Sequence, residues 1–354
     1  MNLAPALRSP KESPLFVLGV IFSAIVWGVL TLATLGIGLV YAVFIAAFVL
    51  IAHALFLAHV KGNGVRISER QLPELHARVK AAAAKLGMSE VPEVYLLQHG
   101  GLLNAFATKL LSRKFVIIYS DLADQCEDPR QLDFIIGHEL GHFAAGHLAW
   151  NAFLAPYQMF PLLGAAYSRA REYTCDRCGH AVTGNYDASK RALVVLAAGG
   201  KHAGRVNLDA FIEQQSDTGG FWMGIHELVS SHPYLCKRVA ELKNLEAPGS
   251  VRVASRNPLS YPFAPFLGGL AVGGGAANAM VVMAIIGIMA AIAIPNFMKF
   301  KERAGAAAAA QTQLDEQIQQ QALLEQQLQE LDEGAEQAVP KEEDVEPAPA
   351  GGTR

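Results

Sequence analysis

Charged side chains vanish from the chain between Leu15 and Val60. At about 20 residues per crossing this run holds two membrane helices, with a tight turn near Gly36–Gly38. Arg8 and Lys11 precede it, Lys61, Arg66 and Arg70 follow it, and the turn carries no charge. By the positive-inside rule both ends of the hairpin, and the domain after it, lie in the cytoplasm.

From residue 62 to 260 apolar and polar positions mix as in a globular domain. SERQLPELHARVKAAAAKLG (68–87) has the period of an amphipathic helix, EVYLLQ (93–98) and KFVIIYS (114–120) read as strands, and residues 128–150 form a helix opened by Asp128 and Pro129. The fold class is α+β, mainly helical. The next apolar stretch (148–167) is long enough for a bilayer but contains Pro156 and Pro161. If residues on both sides of it build one site, it cannot cross once, so it is a buried or lipid-leaning hairpin or a re-entrant element.

A further apolar segment covers 261–304, with a Gly-rich run (266–280) and a stretch from Met280 to Ile294 before Lys299, Lys301 and Arg303. Residues 305–334 are Gln-rich, with Leu314, Leu324, Leu328 and Leu331 at spacings of three and four, the pattern of a weak coiled coil or a solvated helix. The acidic, Pro-rich end (335–354) has the composition of a disordered tail. The expected organisation is thus a membrane hairpin (1–61), a domain (62–260), an apolar segment (261–304), a helix (305–334) and a tail (335–354).

Composition sharpens this picture. With 52% apolar and 17% charged residues, the chain leans toward a membrane protein, and a net charge of -3 without a basic stripe excludes nucleic acid as the expected partner. Four cysteines are too few and too scattered for a disulfide framework, which points to a reducing compartment. Cys175 and Cys178 form a CxxC without a second pair, and read as small buried side chains on a helix.

The chemistry lies in GHELGHFAAGH (137–147). Residues four apart share a helix face, so His138 and His142 can offer nitrogens to one metal ion, while Glu139 is turned about 100° away and stands beside it. Zinc lowers the pKa of a bound water toward about 7 and polarises a carbonyl, and a neighbouring carboxylate accepts the proton and passes it on to the leaving amine. The competing reading is a helix with surface histidines. A catalytic zinc takes three protein ligands, so another is expected downstream. SRAREYTCDRCG (168–179) offers Glu172, with Asp176 one turn on to accept the outer N–H of a ligand histidine. Taken alone, these two would better suit an ordinary exposed charged helix.

LNAFAT (103–108), HELGH (138–142), EYTCD (172–176) and SSHPYLCKR (230–238), in this order, resemble the M48 family of membrane-associated zinc metallopeptidases, which includes the HtpX heat-shock proteases and the CAAX prenyl proteases. The resemblance runs from about residue 65 to 245. It implies a zincin-like fold with one zinc on His138, His142 and Glu172, and Glu139 as general base and acid. Asp176 and Arg238 would support the ligands, His232 would donate to the oxyanion, and Asn104 and Ala105 would hold an extended protein or peptide substrate. Cys175 stands where the family commonly has alanine, and is expected to point away from the face of Glu172. His147 repeats a family position and is expected to cap or pack. The spacer between His142 and Glu172 is too short for the pair of crossings of the heat-shock branch.

AIIGIMAAIAIPNFMKFKERA (284–304) resembles the amino-terminal helix of type IV pilins, without the processing glycine and with Asn278 in place of the pilin glutamate. The combined expectation is an integral protein of a bacterial inner membrane, in contact with lipid. It would be a zinc endopeptidase with a cytoplasmic catalytic domain, acting in membrane protein quality control. A catalytically silent membrane scaffold and a pilus-associated assembly factor are the alternatives, and a homo-oligomer through the C-terminal helix stays open.

Overall fold

The computed structural model describes residues 3–271 and 294–323, which fall into two units, Met1–Met289 and Ala290–Arg354. The first unit opens with helices α1 (Glu12–Ala33) and α2 (Ile37–Asn63). Leu35 and Gly36, both at positive φ, turn the chain between them, one residue ahead of the expected Gly36–Gly38. Each is long and apolar enough to cross a membrane, and their large side chains stay exposed, Phe44 and Phe48 by 70% and 73%.

A four-stranded sheet follows, made of β1 (Val65–Ile67), β2 (Glu93–Leu97), β3 (Ala105–Leu110) and β4 (Arg113–Tyr119), with helix α3 (Pro73–Lys85) between β1 and β2. The order is β1-β2-β4-β3, with β2 and β4 parallel and the outer pairs antiparallel. The run Phe115–Tyr119 in β4 is apolar at every position because both faces of the sheet are covered. Val116 and Ile118 pack with Val79 of α3 and with Ile136 and Leu140 of the following helix. On the other face, Leu57 and Val60 from the end of α2 pack against Phe115, Ile117 and Tyr95. His53 of α2 lies 3.1 Å from the Thr108 hydroxyl on β3, which accounts for this imidazole as a tie between helix and sheet.

Helix α4 (Pro129–Ala144) begins as expected, the Asp128 carboxylate accepting the Arg130 N–H at 2.8 Å. It stops earlier than 150. Gly146 takes φ 80°, and the N–H groups of Gly146 and His147 turn back onto the carbonyls of Phe143 and His142, a Schellman ending. The apolar stretch beyond does not form a crossing. It turns into the short helix Ala155–Met159 and then α5 (Pro161–Thr183), with both prolines in first helical turns. Tyr157 and Phe160 stack against Phe22 of α1 at ring separations of 5.9 and 5.5 Å.

Helices α6 (Tyr186–Ala198), α7 (Phe221–Val229), α8 (Leu235–Glu246) and α9 (Ser260–Ala271) complete the first unit. Val194 and Val195 of α6, Val239 and Leu242 of α8, and Phe134 and Ile135 of α4 share a second core. In the second unit, residues 294–323 form a helix with every side chain exposed. The glycine run and apolar stretch from 272 to 293, the leucines from 324 onward and the tail (335–354) lie outside the described residues.

Candidate metal centre

Two glycines let the site form. Gly137 and Gly141 lie one turn apart on α4, and a Cβ on either would come within 2.8–2.9 Å of Val182 or Cys178 on α5. Gly179 of α5 faces the backbone of Phe134 in the same way. With no side chains between them, the two helices touch nearly backbone to backbone, and α5 delivers Glu172 onto the histidine face of α4.

Glu172 Oε2 lies 3.3 Å from Nε2 of His138, and Oε1 lies 3.8 Å from Nε2 of His142. Zinc bonds of about 2.0–2.1 Å at tetrahedral angles separate ligand atoms by about 3.3–3.4 Å, so each imidazole stands at or a little beyond that spacing from one of the two Glu172 oxygens. Glu172 and Asp176 are only 4% and 2% exposed, which removes the reading of the two as an ordinary exposed helix.

The field here favours positive charge. Burial works against a proton on His138, yet hydrogen bonds to Asp176 and Glu172 outweigh it and lift its pKa to about 10. For Glu172 burial is likewise outweighed, by His138, His232 and Arg238, and its carboxyl is drawn well below the usual range. Burial holds His142 well below its ordinary value, so its imidazole is neutral with a lone pair to offer. A buried carboxylate, two imidazoles and a local preference for a cation fit a zinc ion.

Cys175 corrects an expectation. Its thiol lies close enough to His138 and His142 that donor atoms of all three fall within 4.8 Å of one another. Residues three apart on a helix share a face, so Cys175 cannot point away from Glu172. Cys175 is therefore within reach of the same ion, but burial pushes its thiol well above its ordinary pKa while the Glu172 carboxyl is drawn well below its own, which favours Glu172 as the third donor.

Behind the ligands, His138 Nδ1 meets Asp176 Oδ1 at 3.0 Å. Arg238 on α8 clasps Asp176 through Nε at 2.8 Å and a terminal nitrogen at 2.6 Å, and its other terminal nitrogen is 3.5 Å from Glu172. Glu139 is 6% exposed, and burial pushes its carboxyl up to about 7 although the backbone N–H of Ala107 on β3 bonds to it.

That bond fixes the aspect of β3. The Asn104 carbonyl accepts the Tyr119 N–H at 3.0 Å, so even-numbered residues pair with β4 while Ala105 and Ala107 turn their backbone groups to the free edge. Of the two expected substrate-holding residues, Ala105 thus offers an open backbone, whereas the carbonyl of Asn104 is already committed.

His232 sits in the loop between α7 and α8, with Nε2 3.6 Å from Glu172 Oε1 and Nδ1 2.9 Å from the Ser231 hydroxyl. Its side chain is 64% exposed, but its loop is pinned: buried Arg169 on α5 donates to the carbonyls of Glu227, Leu228 and Ser230 at 2.7–2.9 Å. Beside His232 opens a cavity of about 630 Å³ lined by Phe211, Met223, Tyr234 and Leu235. Sequence reasoning missed Arg169, and it missed that His147 touches His142, Nδ1 to Nδ1 at 3.1 Å. The Gly146–His147 pair following the helix was the available signal for the second contact.

The chain is 27% identical over 225 residues to the plastoglobule-localized metallopeptidase 48, chloroplastic, of Arabidopsis thaliana, a match covering 55% of this chain and 64% of that protein's length. The profile of Peptidase family M48 matches residues 69–162 and 151–246, a span that holds His138, His142, Glu172, Asp176, His232 and Arg238. By that match, which takes in half the chain, the protein belongs to peptidase family M48.

Proposed function

We propose that the protein is a membrane-anchored zinc peptidase that cleaves protein substrates at the bilayer surface. The observation that carries this reading is the convergence of Glu172 on both imidazoles of the HELGH helix, at 3.3 and 3.8 Å, with Glu139 beside them. His138, His142 and Glu172 would hold the ion, one per chain. Zinc there supplies Lewis acidity, polarising the scissile carbonyl and acidifying the attacking water.

The chain's own residues do the rest. Glu139, buried and with its affinity for a proton raised toward neutrality, takes the proton from the water and returns it to the departing amine. Asp176 orients His138 and is held by Arg238. His232 stands where it can donate to the oxyanion as the carbonyl becomes tetrahedral. The free edge of β3 adds the substrate as a further strand, through the backbone of Ala105.

The apolar, exposed α1–α2 hairpin supports membrane insertion, with the domain on the cytoplasmic side. Such a placement suits membrane and misfolded proteins, hence quality control. The test is metal content and activity together: detergent-purified protein should carry one zinc per chain, lose cleavage of an unfolded substrate to a chelator and regain it on adding zinc. Cleavage that persists after the zinc is stripped would overturn the reading.

A further inference from the structure

The first residue of a membrane-length helix lies inside the polar network of the metal centre. Glu12 opens α1 and is 3% exposed. Arg8 bonds to its Oε1 at 2.5 Å, the Thr174 hydroxyl donates to its Oε2, and His147 Nε2 lies 3.3 Å from Oε1. Ser9 adds its backbone N–H to the Thr174 hydroxyl at 2.9 Å, and Arg8 reaches the Ala145 carbonyl at 2.8 Å. A carboxylate taken out of water costs several kcal/mol unless it is paired and hydrogen-bonded, and here every partner but Arg8 comes from the two helices that carry the metal ligands or the turn that ends the first of them.

His147 connects this carboxylate to the site. The Schellman ending of α4 folds it back onto His142, leaving the two Nδ1 atoms 3.1 Å apart. His142 presents Nε2 to Glu172, so Nδ1 is its protonated nitrogen when it serves as a ligand, and that N–H donates to His147 Nδ1. His147 must then carry its own proton on Nε2. That nitrogen is buried and makes no hydrogen bond of good geometry, and Glu12 Oε1, 3.3 Å away, is the oxygen placed to accept from it. Each tautomer fixes the next. The chain His142–His147–Glu12–Arg8 mirrors His138–Asp176–Arg238 on the other ligand, with an imidazole inserted as a spacer.

We infer that Glu12 and His147 are positioning residues for His142, so that the metal centre is complete only when the start of α1 is docked against α4 and α5. This inference rests on the zinc-peptidase reading. Assembly of the site is thereby tied to seating of the hairpin on the domain.

The test measures zinc affinity of full-length, detergent-purified protein by competition with a chromophoric chelator, with the absorption spectrum of the cobalt(II)-substituted form as a second readout. Glu12→Met removes the Oε1 acceptor that Arg8 and His147 share, and His147→Leu removes the spacer. Glu12→Met and His147→Leu should each weaken zinc binding by about 10–100-fold and shift the cobalt spectrum. The double variant should fall no further than the worse single one. Unchanged affinity and spectrum in both single variants, or losses that multiply in the double, would overturn the inference while wild type still binds zinc and cleaves. Wild type that binds no zinc removes the peptidase reading and this inference with it.

Discussion

Arg238 and Asp176 meet side by side, two guanidinium nitrogens on two carboxylate oxygens at 2.6 and 2.8 Å, in a pocket where both residues are almost fully buried. Planar pairing of this kind fixes direction as well as charge. It aims the remaining lone pair of Asp176 Oδ1 at His138 Nδ1. Replacing Arg238 by Met leaves Glu172 and Asp176 as buried carboxylates without their cation, a loss of about 3–5 kcal/mol. Thermal unfolding should show it in metal-free protein, with saturating zinc recovering part of the deficit. Asp176→Asn, which keeps the shape, should weaken zinc binding by about 10–100-fold.

The glycine seam between α4 and α5 makes a second prediction. A methyl at Gly141 would sit 2.9 Å from Cys178 Cβ, an atom that cannot swing aside without moving α5. Gly141→Ala should cost about 1–3 kcal/mol of stability. It should also lower zinc affinity, because the displaced helix is the one that carries Glu172. Equilibrium unfolding and chelator competition on one preparation check both, and a variant that loses neither would contradict the close-contact account.

Arg169 acts at a distance from the ion. Its hydrogen bonds to the carbonyls of Glu227, Leu228 and Ser230 tie the end of α7 and the loop of His232 to α5. Arg169→Met should lower kcat roughly 10- to 100-fold through a misplaced His232 while zinc content stays at wild-type level. A parallel loss of zinc would mean that Arg169 serves the fold and not the loop.

How much of this was legible in the sequence depends on how far apart the partners lie. The HELGH pair, its Asp128 cap and Glu139 are local, governed by helical period and capping, and the structure has His138, Glu139 and His142 on one helix that Asp128 caps. Glu172 and Asp176 come from another element and were reached as candidates because a catalytic zinc needs a third ligand, while His232 and Arg238 were reached only through resemblance to a family. The helix end at Ala144 was missed although Gly146 announces it, because the apolar pattern runs on through Leu148. Nothing local marks Glu12 as a neighbour of His147, since that contact exists only once α1 lies on α5. Cys175 was misdirected by treating a three-residue step as a change of face.

The free edge of β3 yields a substrate-side prediction. Ala105 directs its backbone away from β4, so Ala105→Pro removes one outward N–H without breaking a rung of the sheet. One lost hydrogen bond of about 0.5–1.5 kcal/mol corresponds to roughly a 2- to 12-fold fall in kcat/KM. Zinc content and melting temperature should hold, and a variant that melts early would show that Ala105 pairs within the fold.

The most direct measurement compares wild type with Glu139→Gln, purified identically in detergent and loaded with zinc, on an unfolded protein substrate. The account predicts that Glu139→Gln keeps its zinc and loses cleavage by three or more orders of magnitude, roughly the full value of general acid–base catalysis and more than binding alone can hide. Cleavage by the zinc-loaded variant at the wild-type rate would contradict it, because the proton would then be moving through some other group.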